Sequence, residues 1–146
     1  MKSSELRQRV AEAISAAQAK KAEDLAILRM DRESPSFTDY FVIASGSNPR
    51  QIQAISDEVQ DRLARMGLNP THVEGYNLAE WVLLDYVDFV VHVFSEKARK
   101  YYDLERLWKS ATRLEPSDLE AMRKRAARPR NATRAGKRAK GQKNSR

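Results

Sequence analysis

Cysteine is absent from this chain of 146 residues. Its absence excludes disulfide bonds, thiolate metal sites and cysteine nucleophiles. The two histidines, His72 and His92, have no partner at the spacing of a metal site, so no metal or cofactor is expected. No apolar run approaches the roughly 18 residues that span a bilayer, and the N-terminus lacks the regions of a secretory signal. We therefore expect a cytoplasmic protein with no membrane partner.

Positive charge is concentrated at one end of the chain. The sequence has 27 lysines and arginines against 20 acidic residues, a formal net charge of +7. Residues 122–146 hold 11 of the basic residues and no acidic one, which leaves residues 1–121 with a net charge of −4. This basic segment has almost no apolar side chain larger than alanine, so it cannot bury enough surface to offset the entropy of ordering. We predict a folded domain over residues 1–115 and a disordered basic tail over residues 116–146.

The periodicity of apolar residues predicts helices and strands in a mixed order. The predicted helices span Ser3–Lys20, Pro49–Met66 and Glu96–Leu114, and the second has Asn48 as its N-cap and Gly67 after its end. The predicted strands span Asp24–Met30, Tyr40–Ala44, Pro70–Glu74, Glu80–Tyr86 and Phe89–Phe94. The strand at Tyr40 is apolar throughout, which is typical of a strand buried on both faces. This order predicts an α/β fold, a mixed β-sheet with packed helices.

A short turn, Ser45-Gly46-Ser47, joins a predicted strand to a predicted helix. Nucleotidyltransferases begin their active site with a Gly-Ser turn at such a place, where free N–H groups and the helix dipole can hold a phosphate. These enzymes also need two carboxylates, usually Asp-x-Asp on the next strand, to hold Mg²⁺. The chain has no Asp-x-Asp. A plain strand-to-helix connection is therefore the favoured interpretation, and no enzymatic activity is expected.

The strand over Glu80–Tyr86 alternates, so Trp81, Leu83 and Asp85 share one of its faces. If a helix covers that face, Trp81 belongs to the core. If the face is open, Trp81 and Leu83 form an apolar patch beside an acid, which suits a protein interface. Spacing alone leaves both interpretations open.

Aromatic residues near the end of the folded domain pose the same choice. The last helix is expected to pack Tyr101, Leu104 and Trp108. Adjacent helical positions point about 100° apart, so one of Tyr101 and Tyr102 should face a partner or the rim of the core. For His92, in an apolar strand, a packing role is favoured over a role as ligand or base.

Several segments together resemble one known family. In chain order they are Thr38-Asp39-Tyr40-Phe41-Val42-Ile43-Ala44-Ser45-Gly46-Ser47, Arg50-Gln51, Glu74-Gly75, Trp81-Val82-Leu83-Leu84-Asp85-Tyr86, Val91-His92-Val93-Phe94 and Arg99-Lys100-Tyr101-Tyr102-Asp103-Leu104-Glu105-Arg106-Leu107-Trp108. Each segment is weak alone, but in this order and at these distances they resemble the ribosomal silencing factors, the Iojap-like proteins. The likeness covers about Glu5–Trp108 and does not extend to the basic tail, which is interpreted as a lineage-specific addition. It departs at Val87, where the family typically has glycine in a hairpin turn.

The resemblance implies a nucleotidyltransferase-like fold without the catalytic carboxylates. It also implies a translational repressor that binds the large ribosomal subunit through ribosomal protein uL14, at the surface that meets the small subunit. Occupying that surface blocks subunit joining and lowers protein synthesis under nutrient limitation. Isolated members of the family often form homodimers, so the resemblance implies a homodimer as well.

The negative net charge of the folded domain suits docking against a basic ribosomal protein, because complementary potentials speed association and orient the partners. We expect the contact residues to be Glu74, Trp81, Leu83, Asp85, Tyr102 and Glu105. In this hypothesis Trp81 and Leu83 supply the desolvated anchor, Tyr102 a rim contact, and the acids the charge match.

Two other functions stay open. An active nucleotidyltransferase would bind nucleotides in a Mg²⁺-dependent way. An RNA-binding ribosome assembly adaptor would act through its basic tail, and the residues expected to contact ribosomal RNA are Arg123, Lys124, Arg125, Arg128 and Arg130. The tail has no aromatic residue to stack on bases, so this contact would be electrostatic and non-specific.

Overall fold

In the computed structural model, residues 3–31 and 38–118 are described, and they form one sheet with helices on both faces. In chain order the elements are α1 (Ser3–Ala19), β1 (Glu23–Arg29), β2 (Tyr40–Gly46), α2 (Pro49–Arg65), β3 (His72–Glu74), β4 (Trp81–Asp85), β5 (Phe89–Ser95), α3 (Glu96–Tyr102), α4 (Leu104–Leu107) and β6 (Thr112–Leu114). Residues 119–146, which include most of the predicted tail, lie outside the described residues. The disorder of the tail and the domain boundary at residue 115 therefore stay predictions.

The described strands form a six-stranded sheet in the order β3-β4-β5-β2-β1-β6. β2 and β5 run parallel, while the other neighbouring strands run antiparallel. The predicted mixed sheet with packed helices is therefore confirmed. β2 lies near the centre of the sheet and is buried along its whole length, as its continuous apolar run predicted.

The two long helices, α1 and α2, cover one face of the sheet. Apolar residues three and four positions apart give each helix a single apolar stripe, and burying that stripe holds the helix on the sheet. The buried residues of these stripes include Leu6, Val10 and Ile14 of α1 and Ile52, Ile55, Val59 and Leu63 of α2.

The ends of α2 are those that its sequence predicts. The side chain of Asn48 accepts a hydrogen bond from the backbone N–H of Gln51 at 2.8 Å, and Pro49 occupies the first helical position. Gly67 follows the C-cap residue with φ of 81°, a left-handed conformation that glycine adopts without steric cost. Local signals were sufficient here because every capping partner lies within a few residues in the chain.

The opposite face of the sheet is covered over only part of its width. There the segment from α3 to Trp108 packs over the sheet, and the buried residues of this layer include Leu28, Phe41, Ile43, Phe94, Ala98 and Leu104. Trp108 meets Phe41 edge to face, with ring centroids 5.8 Å apart. β3 is exposed along its length, and every second residue of β4 stays partly exposed. This unequal cover leaves one end of the sheet accessible.

The prediction of a single helix over Glu96–Leu114 is wrong. The helix ends at Tyr102, because Asp103 takes a left-handed conformation with φ of 48°. The chain then forms the short α4 and the edge strand β6, which pairs antiparallel with β1. Leu104 is buried and Trp108 packs against the second layer as expected, but Tyr101 is 81% exposed. The spacing of Tyr101, Leu104 and Trp108 continues a helical period across the break at Asp103, so the pattern alone does not reveal the break.

The hairpin between β4 and β5 contains a strained residue. Val87 has φ of 73°, where the steric cost for a residue with a Cβ is roughly 1–2 kcal/mol. The turn is closed by the N–H of Tyr86 bonded to the carbonyl of Phe89 at 2.9 Å. In addition, the carboxylate of Asp85 accepts the N–H of Val87 at 2.8 Å. The positive φ agrees with the glycine that the resemblance implies for this position.

Replacing Val87 by glycine should therefore stabilise the fold. We expect Val87→Gly to raise the free energy of unfolding by about 1 kcal/mol, since glycine removes the steric cost but adds some entropy to the unfolded chain. Thermal denaturation followed by circular dichroism would show a rise of a few degrees in Tm. Val87→Ala, which keeps a Cβ at the same φ, is the control and should gain less. An unchanged or lower Tm for Val87→Gly would contradict the steric cost assigned to the backbone conformation of Val87.

Candidate functional site

Five of the six residues expected to contact a partner lie together at the open end of the sheet. Trp81, Leu83 and Asp85 alternate with the fully buried Val82 and Leu84 along β4. The other two are supplied by β3, where Glu74 is the cross-strand partner of Leu83, and by the last residue of α3, Tyr102. We call this group the docking surface; its residues are Glu74, Trp81, Leu83, Asp85 and Tyr102.

Trp81 is packed on one side and accessible on the other. It therefore fits neither of the two interpretations, core or open face, completely. Its ring stacks on Phe94 with centroids 4.9 Å apart, and Tyr102 lies against it at 4.5 Å. Trp81 nevertheless keeps partial exposure, and Tyr102 is 49% exposed. An aromatic side chain that is supported from below and beside, but open outward, is suited to anchoring a protein partner.

His92 lies beneath the docking surface, in β5. Burial lowers the pKa of its imidazole to about 3, so the ring is neutral at physiological pH. Its Nδ1 accepts a hydrogen bond from the indole Nε1–H of Trp81 at 3.0 Å. The structure thus places His92 in the packing role that the sequence favoured. Among the described residues, no group of acidic and histidine side chains is arranged to hold a metal ion.

The two acids of the docking surface lie at its edge. The carboxylate of Asp85 closes the β4–β5 turn through the N–H of Val87, and Glu74 contacts the imidazole of the exposed His72. Cross-strand pairing also sets His72 opposite Asp85. The apolar centre of the surface therefore has an acidic rim with one imidazole within it.

Glu105, the sixth expected contact, belongs to a different cluster. Its carboxylate accepts hydrogen bonds from Arg99 at 3.0 and 3.3 Å and from Arg113 at 3.0 Å, and Arg99 also bonds the hydroxyl of Ser45 at 2.8 Å. Burial raises the pKa of Glu105, but the bonds and charges of the two arginines outweigh burial and hold this pKa below its usual value. The cluster joins α3, α4 and β6 to β2, so Glu105 has a structural role in connecting these elements. A contact of Glu105 with a partner stays a prediction.

The Ser45-Gly46-Ser47 turn is occupied by the protein's own side chains. The backbone N–H of Ser47 donates to Oε1 of Gln51 at 2.6 Å. Nε2 of Gln51 in turn donates to the carbonyls of Lys20 and Lys21 at 3.1 and 3.0 Å. An N–H that a phosphate would use is thereby committed to an internal contact, which supports a plain strand-to-helix connection.

Sequence reasoning missed two features that shape the docking surface. Gly75 has φ of 78°, and a Cβ there would lie 2.1 Å from the carbonyl oxygen of Trp81, so only glycine lets the loop approach β4. The pairing of Trp81 with His92 was also missed. A signal existed, since a short hairpin turn brings both residues to one face of adjacent antiparallel strands.

None of the described helices is long and apolar enough to span a membrane.

Comparison with known proteins gives consistent matches. The family model described as "Ribosomal silencing factor during starvation" matches residues 3–144. The likeness therefore extends along most of the basic tail, further than the motifs between Glu5 and Trp108 indicated. The chain is 44% identical over 100 residues to the ribosomal silencing factor of Bacillus subtilis (strain 168), which covers 68% of this chain and 83% of that protein.

Other matches extend to a solved structure and to a mitochondrial protein. A crystal structure of a Chromobacterium violaceum protein matches with a TM-score of 0.69 and 33% identity, covering 75% of this chain and 88% of that one. A mouse protein named "Mitochondrial assembly of ribosomal large subunit protein 1" is 28% identical over 90 residues, which are 60% of this chain and 39% of that protein. The likeness to nucleotidyltransferases stays a prediction from the resemblance.

The buried neutral imidazole makes the stability of the fold depend on pH. In the unfolded chain His92 takes up a proton below its ordinary pKa of 6.5, whereas the folded protein resists protonation down to about pH 3. The unfolded state therefore binds more protons in this window, and the free energy of unfolding should fall as the pH drops below 6.5. The slope that His92 contributes approaches about 1.4 kcal/mol per pH unit. Urea denaturation at pH 7, 6 and 5 measures it.

The matched control for this prediction is His92→Leu, which cannot titrate. Carboxylates elsewhere in the protein contribute equally to the pH dependence of the free energy of unfolding in the wild type and in the variant. The wild-type protein should therefore lose more stability than the variant between pH 6 and pH 5. Parallel lines for the two proteins would contradict the protonation cost assigned to His92.

Proposed function

The chain belongs to the ribosomal silencing factor family, and from that premise we propose that it represses translation by binding ribosomal protein uL14 on the large ribosomal subunit. Bound there, it sterically blocks joining with the small subunit, especially under nutrient limitation. The observation that carries the proposal is the docking surface, where a supported tryptophan lies open at the end of a sheet with acids around it. The mechanism requires occupancy alone and no catalytic step.

The apolar centre of the docking surface supplies the affinity in this proposal. Trp81 and Leu83 are partly exposed on one face of β4 and lose their remaining water when a partner covers them. Trp81 already stacks on Phe94 and contacts Tyr102 at a tilt, so little side-chain entropy is lost on binding. A pre-ordered aromatic residue at the centre of an interface is the usual form of a binding hot spot.

The charges favour a basic protein as the partner. Residues 1–121 carry a net charge of −4, and Glu74 and Asp85 place two acids at the rim of the docking surface. Rim charges of this kind steer a basic partner toward the surface and orient it, and they contribute more to the rate of association than to affinity. A homodimer through the same surface would hide Trp81, so dimer formation and docking would compete.

A second function, in ribosome assembly, is favoured by two observations. The chain matches a mouse protein whose name refers to assembly of the mitochondrial large subunit. The tail also concentrates 11 basic residues without an acid, a composition suited to contacts with RNA phosphates. In this alternative the protein is an RNA-binding adaptor, and Arg123, Lys124, Arg125, Arg128 and Arg130 contact ribosomal RNA.

Removing the aromatic anchor should weaken docking strongly while leaving the fold intact. We expect Trp81→Ala to weaken binding to isolated large subunits by about 30-fold or more, the effect of losing a hot spot of at least 2 kcal/mol. Co-sedimentation with separated large and small subunits measures this. Met66→Ala is the matched control, because Met66 is a partly exposed apolar residue at the end of α2 on the other face. If Trp81→Ala folds and still binds large subunits like the wild type, the proposed docking surface is wrong.

Deleting residues 122–146 distinguishes silencing by protein contact from an RNA-binding function. We expect the truncated protein still to bind large subunits and to reduce the fraction of joined ribosomes in sucrose gradients. If about six tail charges met phosphates, the logarithm of the association constant would fall with the logarithm of salt concentration at a slope of roughly −5. Loss of large-subunit binding on deletion, together with such a slope, would favour the adaptor.

A further inference from the structure

His92 is an unusual residue for its position. It is 3% exposed and lies between apolar neighbours in β5, where an apolar side chain of similar size would fill the space without burying a polar ring. Burying the ring leaves one of its polar atoms unpaired, because the imidazole Nε2 has no hydrogen-bond partner among the described residues. Its Nδ1, in contrast, is well used, since it accepts the indole N–H of Trp81.

The hydrogen bond between Trp81 and His92 runs diagonally across two strands. Trp81 is the cross-strand partner of Phe94, whereas His92 is the partner of Leu83. The bond therefore directs the Nε1 edge of the indole diagonally toward β5, at the level of the pair that contains Leu83. Trp81 and Leu83, the two apolar anchors, are both partly exposed in β4.

Aromatic contacts fix the ring of His92, the acceptor of this bond, as they fix that of Trp81, the donor. The rings of His92 and Phe41 meet edge to face with centroids 4.7 Å apart, and the plane of His92 is parallel to that of Phe94 within 11°. Phe41 and Phe94 are themselves buried in the second layer of the core. Because Nδ1 of the neutral ring acts as acceptor, the proton resides on Nε2. The position of the acceptor atom is thus determined by the core and not by the partner.

We infer that His92 is a positioning residue for docking: by accepting the indole N–H of Trp81, it fixes that side chain in its binding orientation before a partner arrives. The inference rests on the proposed function, since it assigns Trp81 the role of anchor. Fixing one large side chain in advance is worth roughly three- to tenfold in affinity.

The same bond defines what the partner must offer. An indole N–H that enters an interface without an acceptor weakens binding, because its bond to water is lost. Here His92 supplies the acceptor from inside the protein. The partner surface that covers Trp81 is therefore an apolar patch without a required acceptor, surrounded by basic groups that face Glu74 and Asp85.

The test uses the full-length chain with two substitutions of His92. His92→Leu removes the acceptor and keeps an apolar side chain, and His92→Asn restores an acceptor near the place of Nδ1. Nitrogen-15 spectra of the indole groups report the orientation directly. Backbone amide signals of α1, which packs on the other face of the sheet, serve as the reference for the fold, because Trp108 shares Phe41 with His92. We expect the Trp81 signal to shift in His92→Leu, and affinity for isolated large subunits to fall three- to tenfold. His92→Asn should recover most of both.

A double-mutant cycle shows whether the effect passes through the indole. Trp81→Phe removes the N–H donor, so adding His92→Leu to it should cause little further loss of affinity. An equal loss in both backgrounds would overturn the inference, as would a shifted Trp81 signal with unchanged affinity. If His92→Leu does not fold, His92→Phe carries the same comparison. Trp81→Ala separates the two proposals, because normal binding by that variant refutes the docking surface itself.

Discussion

The parallel pairing of β2 with β5 is the constraint on which the rest of the structure depends. Parallel strands end at the same edge of a sheet, so the helices that follow them begin there side by side. The helix after β2 turns to one face and shares it with α1, while the short helix after β5 turns to the other. Two long helices therefore cover one face, and the short C-terminal segment covers the other incompletely. The accessible end of β4 is a consequence of this arrangement.

Features held by local contacts could be predicted from the sequence, and features held by distant contacts could not. The caps of α2 and the alternation of β4 depend on neighbours a few residues apart, and both are confirmed. β6 is only three residues long and exists because it pairs with β1, more than 80 residues earlier in the chain. Glu105 is held by Arg99 and Arg113, which are near it in the chain, but Arg113 lies in β6 and its position depends on the pairing with β1.

The alternatives for Trp81 could not be resolved from the sequence for a related reason. Alternation places Trp81, Leu83 and Asp85 on one face, but whether a helix covers that face depends on where the C-terminal segment breaks. The left-handed Asp103 ends α3 at Tyr102, which sets the phenol against the indole and leaves the neighbouring strand open. The backbone conformation of Asp103, distant in the chain from Trp81, thus decides how far the tryptophan is covered.

The Ser45-Gly46-Ser47 turn and the docking surface use internal hydrogen bonds in the same way. At the turn, Oε1 of Gln51 accepts the backbone N–H of Ser47, which could otherwise hold an anion. At the docking surface, His92 satisfies the indole N–H from below, and the outer side presents mostly apolar surface with acids at its rim. In both places, an internal hydrogen bond pairs a donor that would otherwise point outward, although Nε2 of His92 has no partner among the described residues. For the proposed docking this is an advantage, because a donor that is already paired loses little free energy when water is expelled from the surface.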